Sequence, residues 1–478
     1  MNYSIILYVI GWVLNFEAAF MVPACVTGLI YRETETSALA VVALFCLAVG
    51  LLITKKKPRS MSLYAKEGFV TVALCWVVLS ALGALPFVIS REIPSYIDAL
   101  FEVVSGFTTT GSSILPEVEH MPHCLLFWRS FTHWIGGMGV LVFVMAVLPL
   151  AGGTNMYMMK AESPGPSVGK LVPRVKSTAV LLYGMYIGLS LLQLAFLLLG
   201  RMPLFDAITT MFGTAGTGGF GIRNDSIASY SPYLQWIITI FMILFGVNFN
   251  VYYLILKKRL KSAAASTEVR VYFVIILTAI LLITVNISGL FPDIWTALRH
   301  AAFQVGSVIT TTGFATADFN LWPSFSQSIL VLLMFIGACA GSTGGGIKVS
   351  RIVVLFKSVQ KELDVIVHPH NVKKLKMDGR VIEHTVVRSI NVFIASYLMV
   401  FALSVLLISL DNFDFTTNFT AVAATINNIG PGLGMVGPTG NFGQFSGFSK
   451  LVLTFDMLAG RLELFPLLIV FAKNTWSK

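Results

Sequence analysis

Charge is scarce in this sequence: Asp, Glu, Lys and Arg make up 12% of its 478 residues, about half the share of a soluble chain. Residues 68–90, 178–200, 231–256, 271–292 and 321–347 carry no charge at all. That excludes the string of soluble domains that length alone would allow. About 20 apolar residues suffice to cross roughly 30 Å of hydrocarbon, and here such runs recur from end to end. Cysteine is sparse as well. Cys25, Cys46, Cys75, Cys124 and Cys339 are odd in number and lack any CxxC spacing, which excludes a disulfide frame and a thiolate metal site and leaves small apolar packing residues. The seven histidines form no HExxH motif, and His368-Pro369-His370 reads as a solvated piece of a basic connection. A phosphate-binding loop is missing too: in the run from Gly341 to Lys348, Ile347 separates the last glycine from the lysine.

What is present is apolar and basic. The composition is 56% hydrophobic with a formal charge of +10. Nucleic acid is not the implied partner, because the cations gather at 55–59, 170–176, 257–261 and 357–388, each between apolar spans. Alternate connections carry them, which is the positive-inside bias of a polytopic membrane protein. It places both termini and the four basic connections in the cytoplasm. The first apolar stretch, 5–30, lacks a basic leading region, is long for a signal peptide and is interrupted by Glu17, so it reads as a retained helix.

The fold class expected is therefore an all-α polytopic membrane protein in a lipid bilayer. Ten spanning helices are read at about 5–30, 37–54, 67–90, 125–150, 178–200, 232–256, 270–290, 327–357, 386–410 and 449–472. Four outward connections each hold a short amphipathic segment and then a Gly-, Thr- or Asn-rich return. Asp98 stands thirteen residues before Gly111, and Asp206 thirteen before Gly219; both read as N-cap or first-turn residues of half-helices. The third return holds Thr310-Thr311-Thr312-Gly313 and the fourth Asn427-Asn428-Ile429-Gly430. The chain thus divides into an extra helix pair at 1–62 and pseudo-fourfold helix–pore loop–helix repeats at 63–165, 166–262, 263–380 and 381–478, with four re-entrant half-helices.

Irregular backbone at membrane depth is tolerated where protein buries it or where it lines a wet cavity. Carbonyls of four such loops aimed at one axis replace the hydration shell of a cation. Glycine reaches the positive φ this needs, and each half-helix presents its partially negative C-terminus to the same place. The threonine hydroxyls either add oxygens or brace the loops; the spacing fits both. A second irregularity falls inside the apolar span 327–357, where Gly337, Gly341, Gly344, Gly345 and Gly346 with Ser342 and Thr343 crowd ten positions. It reads as a flexible loop lining the cavity or as a small-residue packing face. Arg461 lies within the last apolar span, where an arginine costs at least about 2.5–3.5 kcal/mol.

These four returns, the run from Gly337 to Lys348, the N-terminal helix pair, the Asn427–Gly434 stretch and Gly460-Arg461-Leu462-Glu463 resemble the Trk/Ktr/HKT superfamily of potassium transporters, and within it the bacterial Trk membrane subunit. The resemblance covers the whole chain. It implies a potassium-binding filter at Thr109, Thr110, Gly111, Gly218, Gly219, Thr311, Thr312, Gly313, Asn428, Ile429 and Gly430, with glycine at all four key positions implying potassium over sodium. It implies a gate made of Gly337, Gly341, Ser342, Thr343, Gly344, Gly345, Gly346 and Arg461, with Arg129, Lys348 and Arg351 as lesser candidates, the last two near the cytoplasmic interface. It further implies potassium as the transported ion, no organic cofactor in this chain, a homodimer, a location in the cell inner membrane, and a separate cytosolic nucleotide-binding regulatory subunit docking on 357–388. Two alternatives stay open: a sodium- or proton-coupled symporter, and a polytopic membrane enzyme, for which no clustered His, Asp or Glu speaks.

Overall fold

The computed structural model describes residues 1–58, 64–139, 175–368 and 374–476. Among them the chain is helical apart from one two-stranded hairpin, Lys376–Met377 with Arg380–Val381. Helices Tyr3–Tyr31 and Thr36–Thr54 pack on each other as a hairpin, and the first of them also covers Ala65–Gly83 and His123–Met138. The turn between them is pinned from a distance: Glu33 accepts hydrogen bonds from the backbone N–H of His123 at 2.6 Å and of Cys124 at 2.8 Å. A carboxylate there satisfies the open donors at the start of helix His123–Met138.

After this pair the same succession of elements recurs. A long helix leads to a short one, the backbone turns back, and a further helix follows. The long helices are Ala65–Gly83, Val175–Leu199, Thr267–Ile287 and His384–Ile408; the short ones are Tyr96–Phe107, Leu204–Ala215, Ile294–Ile309 and Phe415–Ile426. The helices after the return begin at His123, Pro232, Ser324 and Gly447. Each of those packs against the short helix of the next unit: His123–Met138 on Leu204–Ala215, Pro232–Phe245 on Ile294–Ile309, Ser324–Ile336 on Phe415–Ile426. Gly447–Arg461 closes the cycle by packing on Tyr96–Phe107. The four short helices therefore stand around one centre.

The two helix sets differ in continuity. Among the described residues six helices are long and apolar enough to cross a membrane, seven if one bent pair counts as a span. Two belong to the N-terminal pair and the other four are the long helices that open each unit. Residues of 179–199, 267–290 and 384–411 are buried over only 22–28% of their most apolar windows, against 56% for 66–89. The first three leave most of their apolar surface uncovered, while the fourth lies under the N-terminal pair. The helices after the return are interrupted instead. The expected span 232–256 bends by 91° between Phe245 and Phe249. The span 327–357 breaks between Ile336 and Val349, and 449–472 breaks between Arg461 and Phe465, where Glu463 and Leu464 take positive φ. In 125–150 the helix ends at Met138, with Gly139 at φ 81°; the remainder of that expected span lies outside the described residues, as do 369–370 of the His-Pro-His motif. Glycine or asparagine at 246–248, at 337–346 and at Gly139 makes those interruptions tolerable within an apolar run; the break at 462–464 has neither.

Candidate functional site

Each short helix ends in one shared backbone pattern. The first residue after the helix, Thr108, Gly216, Thr310 or Asn427, stays near helical angles. The next turns left-handed: Thr109 at φ 56°, Thr217 at 54°, Thr311 at 58° and Asn428 at 55°. Two residues later a glycine is again positive, Gly111 at 79°, Gly219 at 73°, Gly313 at 85° and Gly430 at 104°. The residue between donates its N–H back to the helix at 2.8 Å in all four: Thr110 to Ser105, Gly218 to Gly213, Thr312 to Ser307 and Ile429 to Ala424. This is the 6→1 closure of a Schellman cap, built on threonine or asparagine where glycine is usual. Each such residue costs of order 1–2 kcal/mol, and it recurs four times.

The glycines then meet the neighbouring loop. A Cβ on Gly111 would strike the carbonyl oxygen of Gly218, one on Gly219 that of Thr312, and one on Gly313 that of Ile429. A Cβ on Gly430 would come to 2.9 Å from the carbonyl oxygen of Thr110. The contacts run from each unit to the next and close on the first. Carbonyls of Thr110, Gly218, Thr312 and Ile429 are thereby gathered with four glycines into one ring, and no residue other than glycine fits at the junctions.

Side chains brace the ring unequally. In the first and third units the hydroxyls of Thr108 and Thr110 lie 2.8 Å apart and those of Thr310 and Thr312 2.7 Å apart. Thr108 donates to Val104 and Thr310 to Gly306, each at 2.6 Å. The hydroxyls of these two pairs thus tie loop to helix. In the second unit His133 does this work. Its Nδ1 donates to the Gly106 carbonyl at 2.7 Å and its Nε2 accepts from the Phe220 N–H at 3.2 Å, a tautomer assigned from those partners. The imidazole fills the space a side chain at position 218 would need, which explains why glycine stands there. In the fourth unit Asn428 Nδ2 reaches Thr110 Oγ1 and the Met457 carbonyl, both at 2.9 Å. Behind the first loop, buried Glu102 binds Arg129 at 2.7 Å and accepts from Ser113 and the Ile114 N–H at 2.9 Å; the Arg129 guanidinium lies 3.5 Å from the Phe220 ring centre.

Asp98 and Asp206 occupy first turns, yet neither caps its own helix. Ser95 caps the first, and Pro203 precedes the second without a side-chain cap. Asp98 instead pairs with Lys450 at 2.6 Å. Asp206 accepts from Tyr230 at 2.7 Å and pairs with Arg223 at 3.3 Å. Sequence spacing found the helices and missed these long-range partners. It also missed Thr217, His133 and Glu102; of these only Thr217 left a signal, its alignment with Thr109 and Thr311.

On the other side of the ring runs the stretch 337–348. Gly345 donates its N–H to Thr311 Oγ1 at 2.6 Å. A Cβ on Gly345 would sit 2.5 Å from the Asn427 carbonyl, and one on Gly344 2.9 Å from that of Thr310. Arg461 is buried and bridges this stretch to the first unit, donating to the Thr343 carbonyl at 3.0 Å, to that of Gly137 at 2.8 Å and to that of Gly136. Lys348 and Arg351, expected near the cytoplasmic interface, are buried at the base of the stretch. Lys348 donates to the Gly344 carbonyl, and Arg351 pairs with Glu463. All five cysteines are free and four are buried, and among the described residues no cluster of His, Cys, Asp and Glu suits a metal ion.

An apolar helical shell around a closed ring of backbone carbonyls defines an integral, multi-pass membrane protein of the transport class. Comparison with known proteins agrees. The TrkH family, described as "Cation transport protein", matches residues 35–478. The chain is 37% identical to the "Trk system potassium uptake protein TrkH" of Salmonella typhimurium and 36% to that of Escherichia coli K12, over all of both chains in each case. Among solved structures, the "Potassium Transporter TrkH from Vibrio parahaemolyticus" superposes with a TM-score of 0.89 at 32% identity, again covering both chains in full. The chain belongs to the TrkH family of cation transport proteins, which are transporters and not enzymes.

Proposed function

We propose that this chain is the ion-translocating subunit of a potassium-uptake system and that the ring at Thr109–Gly111, Thr217–Gly219, Thr311–Gly313 and Asn428–Gly430 is its selectivity filter. One observation carries the proposal. Four glycines each abut the carbonyl of the next loop around a closed cycle, an arrangement that leaves the axis to oxygen atoms. Potassium, the ion for which the relatives are named, is coordinated by such carbonyls in place of water. The C-terminal ends of the four short helices add favourable potential. On this reading the units at 63–165, 166–262, 263–380 and 381–478 are re-entrant pore repeats, and 1–62 is a lateral support.

The stretch 337–346 acts as the gate beneath the filter, held shut by Arg461, which adds a positive charge where a cation must pass. No residue of the ring is titratable, which favours channel-like conduction over proton-coupled symport. The basic connections face the cytoplasm with both termini, the membrane is the cell inner membrane, and the protein works as a homodimer. A cytosolic nucleotide-binding subunit docks on the basic segment 357–388. The test is growth on limiting potassium in cells stripped of other uptake systems. Gly111→Ser and Gly313→Ser are expected to lose that growth or to admit sodium; normal growth and unchanged potassium preference in both would sink the assignment.

A further inference from the structure

The stretch 337–348 has a second anchor, on the side away from Arg461. Glu268, buried in the first turn of helix Thr267–Ile287, accepts the N–H of Ala340 at 2.6 Å and that of Ser350 at 3.1 Å on the same oxygen, Oε1. Its other oxygen accepts Asn248 Nδ2 at 3.4 Å. Asn248 is the residue at which the second unit's helix bends, and beside it the Phe249 N–H reaches the Gly341 carbonyl at 2.9 Å. One carboxylate therefore ties together the entry to the stretch, the first turn of the helix that leaves it, and the bend of a neighbouring unit.

The helix that carries Glu268 is itself held at its N-terminus by a distant segment. Its N-cap, Ser266, makes no side-chain cap. The missing oxygen comes from Asp378, which accepts the Thr267 N–H at 2.7 Å. Asp378 and Gly379 form the turn of the hairpin Lys376–Val381, both with positive φ as a two-residue Asp-Gly turn requires. The same hairpin is bound to the helix leaving the gate, through Lys357 Nζ and the Lys376 carbonyl at 2.8 Å.

We infer that Glu268 is the latch of the gate and that the Asp378 turn is the lever acting on it, so that displacing the cytoplasmic hairpin releases the stretch 337–348. The inference rests on the gate reading above and adds to it the residue and the route by which the cytoplasmic side controls it. The chemistry fits a latch: a buried carboxylate that loses its N–H partners is costly, so Glu268 keeps both loop ends or gives up both together. Its role is positioning, since it stands behind the stretch and not on the ion path.

The experiment measures rubidium uptake into potassium-starved cells and into proteoliposomes for Glu268→Ala, Glu268→Gln, Asp378→Ala and, as the reference, Arg461→Ala. Losing the latch is expected to raise maximal uptake about tenfold with little change in half-saturation, the equivalent of about 1.4 kcal/mol in the gate equilibrium. Glu268→Gln, which keeps one acceptor oxygen, rises less, and Asp378→Ala rises about threefold, as fits the loss of one helix cap. A second readout separates release from misfolding: maleimide labelling of Cys339, which is buried in the stretch, compared with buried Cys46, Cys75 and Cys124. Faster labelling of Cys339 alone supports the latch; faster labelling of all four together with reduced uptake overturns it in favour of a structural role. Wild-type uptake and Cys339 protection in Glu268→Ala, with Arg461→Ala raised, overturns the latch and leaves the gate. If Arg461→Ala is unchanged as well, both fall.

Discussion

Within each unit the helix before the return and the helix after it fold differently. Three of the leading helices, Ala179–Leu199, Thr267–Leu290 and His384–Asp411, run unbroken and turn most of their surface outward. The following helices break at Gly246–Asn248, at 337–348 and at Leu462–Leu464. Lipid explains the first set, because exposed backbone in hydrocarbon has no partner and only an intact helix satisfies itself. Protein and a polar centre explain the second. There the freed groups find other partners: Cys339 N–H bonds the Gly246 carbonyl at 3.1 Å, and Lys348 N–H that of Ile336 at 3.0 Å. Among the described residues these breaks fall on the side of each unit where the ring lies, as the pathway proposed along that ring requires.

Glycines give the sharpest way to break that contrast. Gly188, in a leading helix, has no heavy atom within 4 Å of where a Cβ would stand, whereas one on Gly219 would strike the Thr312 carbonyl. Gly219→Ala is expected to abolish potassium-limited growth, while Gly188→Ala leaves uptake unchanged and stabilises its helix by up to about 1 kcal/mol. Equal tolerance at both positions, measured by rubidium uptake at matched expression, would remove the ring from the pathway. A smaller and opposite effect belongs to the following helix of the fourth unit. Arg461→Ala severs the bridge from Thr343 to Gly136 and Gly137, and uptake should rise roughly three- to tenfold; a fall with protein level maintained would mean that Arg461 supports the pore and does not restrain it.

The leading helices and the ring were legible in the sequence because each has a local signature. Runs free of charge mark the one, and recurring Gly-, Thr- or Asn-rich returns, in the first two units thirteen residues after an acidic first turn, mark the other. Local pattern failed wherever the partner was distant. The expected span 232–256 has no proline inside its bend, only Gly246 and Asn248, and the 91° turn is fixed by Gly341 and Glu268 from another unit. Gly218 stands where the first and third loops have Thr110 and Thr312. It became intelligible only once His133, 85 positions earlier in sequence, was seen to occupy the space. Asp98 and Asp206 drew attention as caps because capping is short-range, yet their true partners, Lys450 and Arg223 with Tyr230, come from elsewhere in the chain.

The contrast extends to charges behind the ring. Arg129 and Glu102, both buried, lie on a following helix and a short helix. Arg129→Met leaves Glu102 without its cation, at a cost of about 3–5 kcal/mol, and thermal unfolding in detergent should report it; the double variant Arg129→Met with Glu102→Gln recovers part of the loss. Recovery would place the pair's worth in mutual compensation, and no recovery would place it in the Phe220 contact and the Gly221 carbonyl that Arg129 also reaches at 3.0 Å.

The smallest effect is expected where a following helix meets the N-terminal pair, at Glu33. Burial pushes this carboxyl up, and the backbone N–H groups of Cys124 and His123, with the His123 side chain, outweigh that and hold it below its ordinary value of 4.5. A depressed carboxyl contributes stability in full above its unfolded value and loses it as pH falls through the lower folded one, so the attachment should weaken only below about pH 4.5. Glu33→Gln is expected to cost about 2 kcal/mol at neutral pH and to flatten the acid limb of the stability curve, with rubidium uptake near wild type. Uptake that falls as far as in Gly219→Ala would show that the N-terminal pair shapes the ring itself, and the division between a supporting shell and a broken, conducting interior would have to be redrawn to include it.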